Sequence, residues 1–230
     1  MANDYFQFRK FTVHQGRCAM KVGTDGTLLG AWAKGGKTVL DIGTGTGLVA
    51  LMMAQRFPAS HIVGIDIDHE AVGQAKENVV ASPFAERVSI VEADVKTYNA
   101  GTFDAIVCNP PYFIDSLECP DKQRTLARHA SALTYGELMS AAQQLLTSDG
   151  ELSLIIPFDC KRQMEQEAAL AGFFKARECA VKTTPKKQPR RYLLAYRKQS
   201  CELEQSEGII EVQPDIRSSW YQELTKDFYL

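Results

Sequence analysis

Thr38-Val-Leu-Asp-Ile-Gly-Thr-Gly-Thr-Gly47 is the stretch that decides the fold. Thr38 to Ile42 is a short β-branched, apolar run interrupted once by Asp41, glycines then recur at 43, 45 and 47, and Leu48 to Arg56 reads as a helix. Strand, glycine loop and helix follow one another without a spare residue. Glycines in such a loop let the backbone turn tightly, and they let a ligand lie against peptide N–H groups at a helix N-terminus. Taken alone the loop is weak evidence, and its weight comes from what surrounds it.

Outward toward the C-terminus, His61 to Ile67 reads as a second strand. Asp66 falls 19 residues past Gly47, about where an acidic residue grips ribose hydroxyls in nucleotide-type folds. Asp68 to Val80 reads as a helix, and a third strand, Val88 to Val91, leads to Ala93-Asp94. A fourth opens the stretch Phe103-Asp-Ala-Ile-Val-Cys-Asn-Pro-Pro-Tyr112. Ala105 to Cys108 are apolar without alternation, as in a strand covered on both faces, and Pro110 and Pro111 supply no N–H, so pairing stops there. Pro110 also pushes Asn109 out of the helical region, which holds its amide extended at the carboxyl end of the strand. Asp41, Asp66, Asp94 and Asn109 thus close four successive strands on one edge. Any one of them reads equally well as a surface group or a strand stop, whereas four at equivalent ends read as the ligand edge of an open α/β sheet.

Phe113 to Ser131 is long, irregular and mixed in charge, a substrate loop or a plain exposed one. Beyond it the pattern predicts a helix over Tyr135 to Leu146, a strand over Glu151 to Ile156, and a helix over Cys160 to Ala171 stopped by Gly172. Phe174 to Lys182 and Arg191 to Arg197 are two strands with no helix between them, hence an antiparallel hairpin joined through Thr183 to Arg190. A short edge strand over Gly208 to Gln213 and a last helix over Trp220 to Leu230 complete the chain. At the other end, Met1 to Lys37 reads as a lid followed by a short helix. There Thr24 or Asp25 either caps the helix or belongs to a loop closing over a ligand.

Composition narrows the function classes. The 230 residues, 45% hydrophobic and 23% charged, fit one globular domain, or one with an extension. The longest apolar run, Leu48 to Ala54, is too short for a membrane span, and the polar start Asn3, Asp4, Gln7 is unlike a secretory leader. Six cysteines at 18, 108, 119, 160, 179 and 201 form no Cys-x-x-Cys pair, and four scattered histidines form no His-x-x-x-His. Reduced thiols in the cytoplasm and no metal are the expectation. Net charge is −2, but Lys175 to Lys198 carries nine basic residues against Glu178 alone, while Gln199 to Leu230 is net −5. A local basic patch therefore survives in a neutral total.

From Thr38 to about Lys198 the chain resembles the class I S-adenosylmethionine-dependent methyltransferases. Asp41-x-Gly43-x-Gly45-x-Gly47 is similar to their first motif, Asp66 to the ribose-binding acid with Ile67 beside it, Asp94 to the residue next to the adenine, and Asn109-Pro-Pro-Tyr112 to the amino-methylating motif. The resemblance implies a Rossmann-like seven-stranded sheet, mostly parallel with a C-terminal antiparallel hairpin. Segments 1–37 and 199–230 would flank a methyltransferase domain at 38–198. Lys21-Val-Gly-Thr-Asp-Gly26, Ala127-Arg-His129 and Pro189-Arg-Arg-Tyr-Leu-Leu194 look like a narrower group, the bacterial valine-tRNA adenine N6-methyltransferases, which modify the adenine just 3′ of the anticodon.

What this implies is S-adenosylmethionine held by Thr24, Asp41, Gly43, Gly45, Gly47, Asp66, Ile67, Asp94 and Asn109, and a tRNA substrate met by a monomer. Catalysis would rest on Asn109, Pro110 and Tyr112, and substrate contacts on Pro111, Arg128, His129, Lys186, Lys187, Arg190 and Arg191. The Asn109 Oδ1 and the Pro110 carbonyl are acceptors that can orient the lone pair of an exocyclic amine, and Tyr112 can stack on the base. The same motif serves glutamine N5-methylation of release factors, and guanine N2-methylation of ribosomal RNA stays open. A nicotinamide-dependent dehydrogenase would want Gly-x-Gly-x-x-Gly and give Asn-Pro-Pro-Tyr no task. A non-catalytic RNA-binding module would have no need of Asp41, Asp66 and Asp94. The basic hairpin favours RNA over protein as substrate.

Overall fold

The computed structural model describes residues 3–18, 20–111 and 133–230. An N-terminal hairpin, β1 (Tyr5–Gln7) and β2 (Thr12–His14), is followed by α1 (Thr24–Trp32). Then come β3 (Thr38–Ile42), α2 (Leu48–Arg56), β4 (His61–Asp66), α3 (His69–Val80), β5 (Val88–Glu92) and β6 (Phe103–Cys108). The C-terminal half holds α4 (Tyr135–Leu145), β7 (Leu146–Pro157), a 3-10 turn (Phe158–Cys160), α5 (Lys161–Leu170), β8 (Phe174–Lys182) and β9 (Arg191–Arg197). It closes with β10 (Glu204–Ile209), the short pair β11 (Glu211–Gln213) and β12 (Ile216–Arg217), and α6 (Ser219–Thr225).

The central sheet has the order β10-β8-β9-β7-β6-β3-β4-β5, and β9 alone runs against the others. The seven strands anticipated between Thr38 and Arg197 are all present. The eighth, β10, pairs parallel to β8 from Glu204↔Arg177 to Ile209↔Lys182, so the β8–β9 hairpin is not the edge of the sheet. Its Glu204 to Glu207 are all exposed, which is why no apolar alternation announced it and why the sequence placed the edge strand later, at Gly208 to Gln213. The hairpin β1–β2 was likewise unannounced: each strand is three residues long. It is anchored by Phe8, Phe11 and Val13 in the core and by the Arg9 N–H donating to the Phe228 carbonyl at 2.8 Å.

Period-two alternation sends β3 to two cores at once. Val39 joins α1, α2 and α3 on one face; Leu40 and Ile42 join α4 and α5 on the other. Leu40, Ile106 and Leu154 are fully buried, each contributing about 1.5 to 3 kcal/mol of apolar transfer. Local signals set the helix starts. Asp68 caps α3 by accepting from the Glu70 and Ala71 N–H groups, and Thr134 with Glu137 forms a reciprocal capping box on α4. For α1 the reading of Thr24 or Asp25 as the cap is corrected: Gly23 occupies the cap position without a side-chain bond, and Asp25 is drawn instead to Arg191. No helix among the described residues is long and apolar enough to cross a membrane, and none of their His, Cys, Asp and Glu groups gathers into a metal site.

Candidate active site

Register brings the strand ends level. Asp41 pairs with Gly64 on β4 and with Val107 on β6, Asp66 with Glu92 on β5, and Cys108 with Leu154 on β7. A cavity of about 580 Å³ opens over these ends, a volume ordinary for a small-molecule site. Its wall includes Thr24, Asp41, Gly43, Gly45, Asp66 and Ile67, and continues through Asp94, Asn109, Pro111 and Arg191.

The glycine loop is built differently from the simple anion cradle its sequence suggests. The Gly43 and Thr44 N–H groups both donate to the Ile65 carbonyl at 2.9 Å, Gly45 N–H to Asp66 Oδ2 at 2.8 Å, and Gly47 N–H to the Thr44 carbonyl at 2.8 Å. These donors are spent inside the protein. What the loop offers is space: a Cβ on Gly43 or Gly45 would meet nothing within 4 Å, and φ is +69° and +54° at the two positions. Gly47 is off the cavity wall; at φ +80° it is the left-handed cap of α2, against Ala75.

Two carboxylates are fixed by that loop. Asp41, 2% exposed, accepts from Thr44 Oγ1 at 2.6 Å and from the Ala50 N–H at 3.1 Å, so it ties β3 to the loop and to α2. Burial is the main cause that raises its pKa to about 7, against the lowering pull of those two hydrogen bonds. Asp66 accepts from the Gly45 N–H through one oxygen and from the Asp68 N–H at 3.0 Å through the other. Each oxygen keeps a second lone pair, so the carboxylate is aimed but not saturated. Asp94 accepts from the Lys96 N–H at 3.0 Å and has the Lys96 Nζ at 3.6 Å. Cys18 and Cys108 line the same space, and burial pushes the Cys18 thiol up to about 11 and the Cys108 thiol well above its ordinary value. Neither is a thiolate nucleophile at neutral pH.

At the end of β6, Asn109 is half-buried, Pro110 buried and Pro111 exposed. Tyr112, Arg128 and His129 lie outside the described residues. Among the basic positions Arg191 reaches the cavity wall, where it pairs with Asp25 at the start of α1. Lys186, Lys187 and Arg190 are exposed and off the wall, yet they belong to the same sheet edge: Arg191 pairs with Pro157 at the end of β7, and the Phe158 N–H donates to the Arg190 carbonyl at 3.1 Å. Thr44 and Gly64 escaped the sequence reading. A Cβ on Gly64 would fall 2.7 Å from Thr44 Oγ1, so this glycine makes room for the hydroxyl that holds Asp41. The only sequence signal for it was a glycine inside a strand, which marks close approach without saying of what.

The wall carries Asp25, Asp41, Asp66, Asp68 and Asp94 against Lys21, Lys96 and Arg191. Its acceptor-rich, acidic wall therefore suits a ligand with hydroxyl donors and positive charge better than a dinucleotide with two phosphates.

Comparison with known proteins places these features in a family. The model of the methyltransferase small domain matches residues 26–186. A Bacteroides thetaiotaomicron protein named tRNA1(Val) (adenine(37)-N6)-methyltransferase is 46% identical over 100% of this chain and 99% of its own length. A relative of the same name from Histophilus somni is 41% identical over 98% of this chain and 97% of its own. Among solved structures, a predicted O-methyltransferase from Agrobacterium tumefaciens superposes with TM-score 0.71 at 18% identity, over 89% of this chain and 96% of that one. That likeness concerns the fold.

Proposed function

Since the chain belongs to the methyltransferase small domain family and, at 46% identity over its whole length, to the tRNA1(Val) (adenine(37)-N6)-methyltransferases, we propose that it moves a methyl group from S-adenosylmethionine to N6 of adenine 37 in a valine tRNA. One observation carries the reading: Asn109, at the end of β6, lies on the wall of the same cavity that the glycine loop, Asp66 and Asp94 line. An amine acceptor and a nucleoside-type site share one space.

The cavity fits the cofactor on three counts. The open faces of Gly43 and Gly45 admit a close-lying ligand, Asp66 presents an oriented carboxylate to a ribose diol, and the acidic wall suits positive charge. In this reading Thr24, Asp41 and Ile67 complete the cofactor contacts from the wall, with Asp94 beside the adenine, while Gly47 acts from behind by shaping the turn. When bound, S-adenosylmethionine supplies an electrophilic methyl on a cationic sulfur.

The work of the protein is to orient the nucleophile. The lone pair of an adenine amino group is delocalised into the ring, so the amine attacks poorly unless its two N–H bonds are held aside. Asn109 Oδ1 and the Pro110 carbonyl accept hydrogen bonds from those two N–H groups, and the buried Pro110 keeps its carbonyl from turning. No base is needed before attack because the amine is neutral; the surplus proton leaves afterwards to water. Tyr112 supplies a face for the base, Pro111 with Arg128 and His129 the substrate side of the loop, and Lys186, Lys187, Arg190 and Arg191 contact RNA phosphates. Residues 1–37 serve the substrate side and 199–230 extend the catalytic unit 38–198.

Methyl incorporation from labelled cofactor into unmodified tRNA, with release factor in parallel, tests this. Label in valine tRNA supports the reading; label in release factor alone overturns it.

A further inference from the structure

Phe158 stands just beyond β7, in the 3-10 turn, with 45% of its surface exposed. Single exposed apolar residues are ordinary, but this one is held and surrounded in an unusual way. Its ring stacks on buried Tyr192, centroids 6.0 Å apart and planes at 27°, and the Lys161 Nζ lies 4.2 Å from the Tyr192 centroid. Its N–H is tied to the Arg190 carbonyl, so both backbone and ring are fixed in advance. Strand order does the rest. β7 lies between β6, which ends at Asn109, and β9, which begins at Arg191 beside the basic turn. A strand of nucleic acid with phosphates on Lys186, Lys187 and Arg190 and a base delivered to Asn109 has to cross the end of β7.

We propose that Phe158 is a stacking platform for an unpaired RNA base next to the one that is methylated. The inference rests on the tRNA reading above and adds to it a second base subsite. Unpaired bases are recognised by stacking on aromatic faces, and a ring already held in place loses little freedom when a base lies on it. The basic turn, tied to Phe158 through the Arg190 carbonyl, and exposed Arg162 four residues further along the chain supply cations for the phosphates next to such a base. Asp159 adjoins the ring in sequence, and the nearby Asp25 and Glu207 are paired with Arg191 and Lys182, so none of the three lies in the basic turn.

The experiment measures binding of the valine-tRNA anticodon stem–loop to wild type, Phe158→Leu and Phe158→Trp, with S-adenosylmethionine affinity as the control. Leucine keeps an apolar cover over Tyr192 but has no ring face. Phe158→Leu should weaken RNA binding roughly five- to a hundredfold, Phe158→Trp should retain it, and neither should change cofactor affinity. With an abasic nucleotide placed in turn on each side of adenine 37, one of the two RNAs should bind wild type and Phe158→Leu alike. Equal binding of the intact RNA by both proteins overturns the proposal, as does the same loss with both abasic RNAs. Dissociation of a dimer by Phe158→Leu with RNA binding intact would assign the ring to a subunit contact and overturn it too. A wild-type protein that binds cofactor but neither binds nor methylates the stem–loop would bring down the RNA reading itself.

Discussion

Asp66 and Asn109 are set apart by the atoms that hold them, and this makes their roles separable. Asp66, with an oxygen on the Gly45 N–H and another on the Asp68 N–H, faces the cavity where ribose hydroxyls would lie; Asn109 ends the neighbouring side of the wall. Asp66→Ala should weaken S-adenosylmethionine by about 1.5 to 3 kcal/mol, whereas Asn109→Ala should leave affinity largely intact and abolish transfer. Calorimetry on both variants decides, and equal losses of affinity would break the division. Asp41 yields a pH dependence. Its folded pKa of about 7 lies above the ordinary 3.8, so between those values the folded chain binds more protons than the unfolded one. Stability from this group is therefore full below about pH 4, falls as pH rises toward 7, and is level beyond, a loss of a few kcal/mol at most. Urea unfolding at pH 5 and pH 8 should show Asp41→Asn losing less stability across the interval than wild type; parallel losses would contradict the buried, proton-holding carboxylate. Asp66 and Asn109 could be read from the sequence because each is a polar group closing an apolar strand, whereas Asp41 interrupts β3 before Ile42 and Asp94 stands two residues beyond β5. Thr44, which holds Asp41, could not be read, since a threonine between two glycines carries no sign of its partner.

The strand, loop and helix units were legible wherever both faces of a strand are buried, as in β3 and β6, because a short apolar run bounded by glycine or proline has few other readings. β10 was shifted by several residues for the opposite reason: its residues Glu204 to Glu207 lie at the sheet edge in water, and backbone pairing with β8 alone decides where it starts. Of the two readings of Thr24 and Asp25, the cap fails: both residues line the cavity and Asp25 pairs with Arg191, a tertiary ion pair invisible to local pattern. Within β4, Gly64 is the element's tightest point, with an added Cβ 2.7 Å from Thr44 Oγ1 and 2.8 Å from Ile90 Cδ1. Gly64→Ala should cost about 1 to 3 kcal/mol of stability and, by pushing Thr44 off Asp41, weaken cofactor binding while leaving the strand paired. Thermal unfolding with and without S-adenosylmethionine reads both effects. A variant as stable as wild type with an unchanged cofactor-induced shift would show that the loop moves freely and that Thr44 does not hold it.

At the scale of the whole molecule, charge is sorted: the segment 175–198 is net +8 and the segment after it net −5. Composition revealed the sorting, but only topology put the basic turn on the edge that carries Asn109, through the single antiparallel strand β9. Replacing Lys186, Lys187 and Arg190 by Ala, with Arg191 kept because it pairs with Asp25, should lower the slope of log affinity against log salt by roughly 2, about 0.7 per contact on single-stranded RNA. An unchanged slope would move the phosphate contacts elsewhere. The central claim is that the Asn109 edge methylates one amine of one base, and it is tested most directly by locating the methyl group. Valine tRNA transcribed without modifications is incubated with the protein and S-adenosylmethionine, cut into fragments and weighed by mass spectrometry beside a transcript carrying guanine at position 37. The account predicts one added methyl, released as N6-methyladenosine, in the fragment containing adenine 37 and none in the guanine transcript; a methyl on any other nucleotide, or an equal yield from both transcripts, would contradict it.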